Sequence, residues 1–225
     1  LAASRWRYVV CLVHDQHIGV QRVLLVYGSG SITRNGVYDQ VIRSLDTYRI
    51  ETVAHGGVRC NPLLSHVREG IEKAGAEKVD GVCAVGGGSV IDSGKAISAM
   101  LTLEGSVTDY LEGVGSKSPS GTKVPFIAVP TTSGTGSETT KNAVLSSINE
   151  NGFKKSLRHD NYVPDIAVID PKLTLSLPPE ITAYCGLDAF SQLLESYLSN
   201  KASPITDALA LSGIANIASG LLPAA

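Results

Sequence analysis

The chain predicts an α/β fold with a mostly parallel sheet, and three observations carry that prediction. Short apolar runs alternate with helical patterns along most of the sequence. Two of those runs end in glycine-rich turns that lead toward helices. Past residue 179 the strand patterns stop, and apolar residues recur at helical spacing.

Taken in order, residues 22–27 (RVLLVY) form a buried strand that runs into Gly28-Ser29-Gly30-Ser31. Residues 37–45 have helical spacing, and residues 51–54 form a second strand ending at Gly56-Gly57. Asn61-Pro62 opens a helix to about Ala74, with Pro62 suited to the first helical position. Residues 82–85 form an apolar strand, followed by Gly86-Gly87-Gly88-Ser89 and a helix over 90–100. Residues 119–123 are a linker, and 124–129 are a strand closed by Pro130. A segment rich in Gly, Ser and Thr follows at 131–138. Residues 143–148 suggest a strand, 149–152 a hairpin turn, and 166–169 the last strand. The domain boundary falls at 179/180, with an α/β domain before it and helical patterns alone after it.

The composition is 43% hydrophobic and 18% charged, which is that of a folded globular chain. A net charge of −2 gives no attraction to nucleic acid or to an anionic membrane. No apolar run reaches the length of a membrane span, and the tract at 8–13 is too short for a signal peptide. Cys11, Cys60, Cys83 and Cys185 are scattered without a CxxC pair, which suits a reducing cytoplasm. The start at Leu1 without methionine, and the end at Ala225 after a small-residue helical stretch, read as a chain truncated at its C-terminus.

The chemistry centres on the turns. Glycines at 86–88 let a phosphate approach the main chain, and the helix that follows offers free N–H groups and a positive dipole end. Gly28-Ser29-Gly30-Ser31 falls short of the GxGxxG fingerprint because position 33 is Thr. Its loop lacks the acidic residue that would hold a ribose 2′-OH, and Arg34 stands nearby, which tilts the choice toward NADP. The hydroxyls of 131–138 suit a further wall of a nucleotide site. Asp188 and Gln192 share one helix face, but a carboxylate and an amide do not by themselves define an iron or zinc site. His14, His17, His55, His66 and His159 show no metal-ligand spacing.

Five stretches together resemble the iron-containing (group III) alcohol dehydrogenase family. They are VLLVYGSGSITRNGVYDQV (23–41), GVCAVGGGSVIDSGKAIS (81–98), PFIAVPTTSGTGSETT (125–140), PDIAVIDPKLTLSLPPEIT (164–182) and GLDAFSQLLESYLS (186–199). The first looks most like the butanol-dehydrogenase and aldehyde-reductase-like branch. The resemblance implies a Rossmann-like domain followed by a helical one, the dehydroquinate synthase-like architecture. It implies hydride transfer between NADP or NAD and a primary alcohol or aldehyde, assisted by Fe2+ or Zn2+. By the family pattern Gly87, Gly88 and Ser89 hold the pyrophosphate, and Gly30 and Ser31 sit by the ribose 2′ position. Thr131, Thr132 and Thr135 line the adenine and nicotinamide side, and Leu175 packs on the adenine. Asn61 contacts the cofactor, while Asp92 and Lys154 lie near the nicotinamide, with Lys155 competing for the place of Lys154. Asp188 matches the metal-binding aspartate, and Gln192 stands where the family has its first histidine. Asp188 and Lys154 are thus the candidate catalytic residues. The family resemblance further implies a cytoplasmic homo-oligomer. Residues 1–19 do not match the family pattern.

Two other readings compete. Glycerol dehydrogenase and maleylacetate reductase share the scaffold, as does a sugar-phosphate cyclase. A cyclase needs several cations for its substrate phosphate, and residues 180–225 offer only Lys201. The other reading is a nucleotide-binding fragment without activity, with an apolar helical face left open at 209–222.

Overall fold

A computed structural model describes residues 19–148 and 152–225. The readings for Cys11, His14, His17, the tract at 8–13 and the turn at 149–151 lie outside the described residues.

The strands are β1 (Arg22–Gly28), β2 (Glu51–Val58), β3 (Gly81–Gly86), β4 (Phe126–Pro130) and β7 (Ile166–Ala167), with β5 (Asn142–Ser147) and β6 (Phe153–Arg158) apart from them. The helices are α1 (Ser31–Arg34), α2 (Val37–Thr47), α3 (Leu64–Ala76), α4 (Gly88–Met100), α5 (Pro179–Leu198) and α6 (Pro204–Ala224). The main sheet has the order β2-β1-β3-β4-β7, and every pairing in it is parallel. β5 and β6 make a separate antiparallel hairpin.

The main chain groups into two compact units. Of the described residues, one comprises 19–130, 137–148 and 152–170, the other 131–136 and 171–225. In the first, β3 and β4 are buried along their whole length, as interior strands of a parallel sheet are. α4 lies against β3, β4, β5 and α3. Every residue of α4 from Val90 to Met100 is buried, four of them polar. The two serines among them are paired: Ser93 Oγ donates to the Ser89 carbonyl at 3.0 Å and Ser98 Oγ to the Val124 carbonyl at 2.6 Å. Gly94 allows the close approach, since a Cβ there would stand 2.7 Å from Ala84 Cβ and 2.9 Å from the Phe126 ring.

Several boundaries differ from the sequence reading, each for a local reason. β2 runs on through Gly56 and Gly57 to Val58 because the pairing with β1 shifts register there, a β-bulge with Gly57 at φ +93°. The helix expected from Pro62 starts at Leu64. Asn61 is left-handed at φ +58°, and the Pro62 carbonyl accepts the Ser146 N–H at 2.8 Å, so these residues serve the hairpin instead. β6 (FKKSLR) was not expected, because paired lysines mask its alternation.

In the second unit α5 and α6 pack on each other. Ser203 caps α6 reciprocally with Thr206, and Pro204 occupies the first turn. α6 corrects one expectation: its 21 residues include a window of mean hydropathy 1.4, long and apolar enough to span a membrane by length and composition.

Candidate functional site

The strand order creates the site. β1 has β2 on one side and β3 on the other, so the chain winds in opposite directions from this point. Ligands of open α/β sheets bind at such a switch, outside the carboxyl ends of the strands. Tyr27 of β1 pairs with Val85 of β3, which sets the turns beginning at Gly28 and Gly86 side by side. Both glycine motifs therefore open on one edge of the sheet.

Gly86 answers to packing: a Cβ there would stand 2.6 Å from Val90 Cγ2. Gly87 then caps α4, and its carbonyl takes the amides of Val90 and Ile91 at 2.9 and 3.1 Å. The main-chain N–H groups just ahead of these have no helical carbonyl to pair with, which is the ordinary anion-binding end of a helix. At the neighbouring turn Gly30 has φ +129°, a conformation open to glycine. Arg34 lies over this turn, with Nη1 3.1 Å from where a Gly30 Cβ would be. Ser31 begins α1.

A polar cluster gathers beside the start of α4. The Asn61 N–H donates to Ser89 Oγ at 3.2 Å. Lys154 Nζ donates to Asn61 Oδ1 at 2.8 Å. Asp92 is 8% exposed, and its Oδ2 accepts the Val144 N–H at 3.0 Å. Asp92 Oδ1 is sealed from solvent without a hydrogen-bond partner. Burial holds the Asp92 carboxyl above its ordinary range, against the pull of the Val144 amide and of the Lys95 and Lys154 charges. Alternation along β6 separates the competing lysines. Lys154 turns to Asn61, whereas Lys155 Nζ lies by Gly113, 3.4 Å from where a Cβ there would be.

The remaining candidates belong to the helical unit. Thr131 is buried, Thr132 half-buried and Thr135 exposed. Gly134 lets this segment approach α5, since a Cβ there would stand 2.6 Å from the Cys185 carbonyl oxygen. Leu175, 82% exposed, lines a mostly apolar concavity of about 590 Å3 with Ser133, Thr182, Gly186, Ile217 and Leu221. Asp188 and Gln192 face each other one turn apart on α5, and Gln192 Nε2 donates to Asp188 Oδ2 at 2.9 Å. No three His, Cys, Asp or Glu residues gather into a metal-binding group among the described residues.

The structure thus joins Asn61, Ser89, Asp92 and Lys154 around the glycine turns of one unit, and groups Thr131, Thr132, Thr135, Leu175, Asp188 and Gln192 in the other. Sequence reasoning missed Lys95, which is wholly buried in α4. Its signal was a lone lysine three residues beyond Asp92 in an otherwise small and apolar helix. It also missed the stacked pair His55 and His66, whose ring centroids are 4.2 Å apart.

The family model for iron-containing alcohol dehydrogenase matches residues 13–171, which corrects the mismatch expected over 1–19 from residue 13 onward. Choline dehydrogenase of Bacillus subtilis is 42% identical over 197 residues, covering 88% of this chain and 48% of that protein. Among solved structures, NADH-dependent butanol dehydrogenase A from Thermotoga maritima aligns with a TM-score of 0.84 at 38% identity, covering 91% of this chain and 50% of the other. Sulfoacetaldehyde reductase from Bifidobacterium kashiwanohense, in complex with NAD+, aligns with a TM-score of 0.89 at 29% identity, covering 98% and 56%. The chain spans about half the length of the curated relatives it matches.

Proposed function

We propose, for a chain that belongs to the iron-containing alcohol dehydrogenase family, that it binds a nicotinamide dinucleotide for hydride transfer between a small alcohol and its carbonyl compound. The observation that carries this reading is the pairing of two glycine turns at the switch of a parallel sheet, with Asn61, Ser89, Asp92 and Lys154 gathered beside them. The amides of Gly87, Gly88 and Ser89 would receive the pyrophosphate at the start of α4. A carboxamide offers one acceptor and two donor hydrogens. Lys154 can donate to that acceptor, which would orient a nicotinamide ring. Thr131, Thr132, Thr135 and Leu175 are assigned to the rest of the dinucleotide.

NADP is favoured over NAD. The turn at 28–31 has no carboxylate to repel a 2′-phosphate, Gly30 and Ser31 leave room for one, and Arg34 supplies a cation over it. The two solved relatives point the other way, one being named NADH-dependent and the other holding NAD+.

For a divalent metal this chain would supply Asp188 and Gln192. The carboxylate fits as a hard oxygen donor; the amide fits through its carbonyl oxygen once its N–H turns away from Asp188. When bound, the metal supplies Lewis-acid polarisation of the substrate oxygen. The substrate class is an alcohol or aldehyde, the assembly a homo-oligomer and the setting cytoplasmic, in keeping with the free thiols of Cys60 and Cys83.

The test is a fluorescence titration of the chain with NADPH and with NADH. Saturable NADPH binding, lost in Gly88→Glu, is the expected result. Failure to bind either dinucleotide would overturn the reading, and tighter binding of NADH would overturn the preference alone.

A further inference from the structure

Lys95 is wholly buried in the middle of α4. Its Nζ donates to the main-chain carbonyls of Ser137 at 2.9 Å, Thr140 at 2.6 Å and Asn142 at 2.9 Å, and to Thr140 Oγ1 at 3.3 Å. An ammonium has three N–H donors, and three carbonyls meet them here. Burial pushes Lys95 down to about 8, partly offset by the through-space pull of Asp92 and Glu138. A methionine would fill the same space without desolvating a charge. The charge therefore does something that packing does not require.

What it grips is main chain with little ladder of its own. Residues 137–141 are the last part of the connection from β4 to β5, with a 3-10 turn at Ser137–Thr139, and Asn142 opens β5. One helical turn before Lys95, Asp92 accepts the Val144 N–H on β5. Lys95 thus holds the carbonyl of Asn142 while Asp92 holds the amide two residues on. Together they pin the entry of the β5–β6 hairpin to α4, and β6 carries Lys154 to Asn61.

We propose that Lys95 is a positioning residue, whose grip on Ser137, Thr140 and Asn142 sets where Lys154 meets Asn61. The consequence for cofactor binding rests on the reading of that cluster as part of the dinucleotide site. The groups that face this device are Asp92 on α4 and Glu138 in the 3-10 turn, with Lys154 on β6 acting on Asp92.

The test compares the chain with Lys95→Met and with the milder Thr140→Val, by NADPH titration between pH 6.5 and 9.5 and by amide-exchange protection at Val144. Lys95→Met is expected to keep its circular dichroism, bind NADPH about tenfold more weakly, and lose protection at Val144. In the parent chain affinity falls as pH rises through about 8, because a neutral amine keeps two donors for three carbonyls. In Lys95→Met that fall is absent. Unfolding does not mimic the effect. With Lys95 held below its unfolded value, the unfolded chain binds more protons from pH 8 to 10.5, so this group makes the fold more stable as pH rises there. Equal affinities and equal pH profiles in parent and variant would overturn the proposal. If Lys95→Met does not fold, unaltered NADPH affinity in Thr140→Val with a flat parent profile overturns it, and a weakened Thr140→Val with the fall through pH 8 supports it. If the parent binds no dinucleotide, the functional reading fails, and Val144 protection across pH 8 still decides the role of Lys95: a drop supports it and constancy overturns it.

Discussion

In the α/β unit Leu24, Val67, Phe126 and Val129 are wholly buried; in the helical unit Leu198, Ile205, Leu209 and Leu222 are 68% to 87% exposed. α4 buries every residue from Val90 to Met100, whereas α5 buries none and α6 only Ala210. Both regions are regular in secondary structure, so regularity does not explain the difference. α4 has strands and a further helix around it, while α5 and α6 have chiefly each other. Two helices cover one stripe apiece and leave their other faces to water. Stability should therefore reside in the α/β unit, and the helical unit should carry the tendency to associate.

The widest gap is expected from large-to-small substitutions. Leu24→Ala should cost about 3 kcal/mol in urea unfolding, by lost burial and a residual cavity. Leu209→Ser should cost less than about 0.5 kcal/mol, and light scattering should show less self-association. Similar costs at the two sites would break the comparison.

Glycine substitutions sharpen it. Gly94→Ala places a methyl against Ala84 and the Phe126 ring, neither of which can retreat, and should cost about 2 kcal/mol. Gly213→Ala meets only the flexible end of Leu193, 2.6 Å away, and should be offset by a helix-propensity gain of up to about 1 kcal/mol. Paired unfolding curves would decide, and a Gly213→Ala loss as large as that of Gly94→Ala would show the helical unit to be as tightly packed.

The smallest effect concerns acid. His55 is held below its ordinary range first by burial and then by His66. The unfolded chain thus takes its proton at a higher pH, and the α/β unit loses stability as pH falls through about 6.5. Asp92, held above its ordinary range, acts in the opposite sense at lower pH. His55→Gln, which keeps a donor for the His66 carbonyl, should flatten the fall in urea midpoint between pH 7.5 and 5. Residues 171–225 contain no histidine, so the fall should be absent from any signal specific to the helices. A His55→Gln chain as acid-sensitive as its parent would place the effect elsewhere.

The sequence by itself determined what a few neighbouring residues can encode. Apolar runs ending in glycine located β1, β3 and the glycine turns after them, since strand burial and turn chemistry are local. Asp188 and Gln192 were legible as one helix face for the same reason. Only the tertiary structure decided which groups converge. Lys154 reaches Asn61 across 93 residues, and Lys95 meets carbonyls 42 to 47 residues away. No short window encodes such contacts. The choice between Lys154 and Lys155 depends on the register of a hairpin, where a slip of one residue would exchange their faces. The worth of a charge at Lys95 depends on a buried site assembled from strand, turn and helix, because only there does an ammonium find three carbonyls and no water.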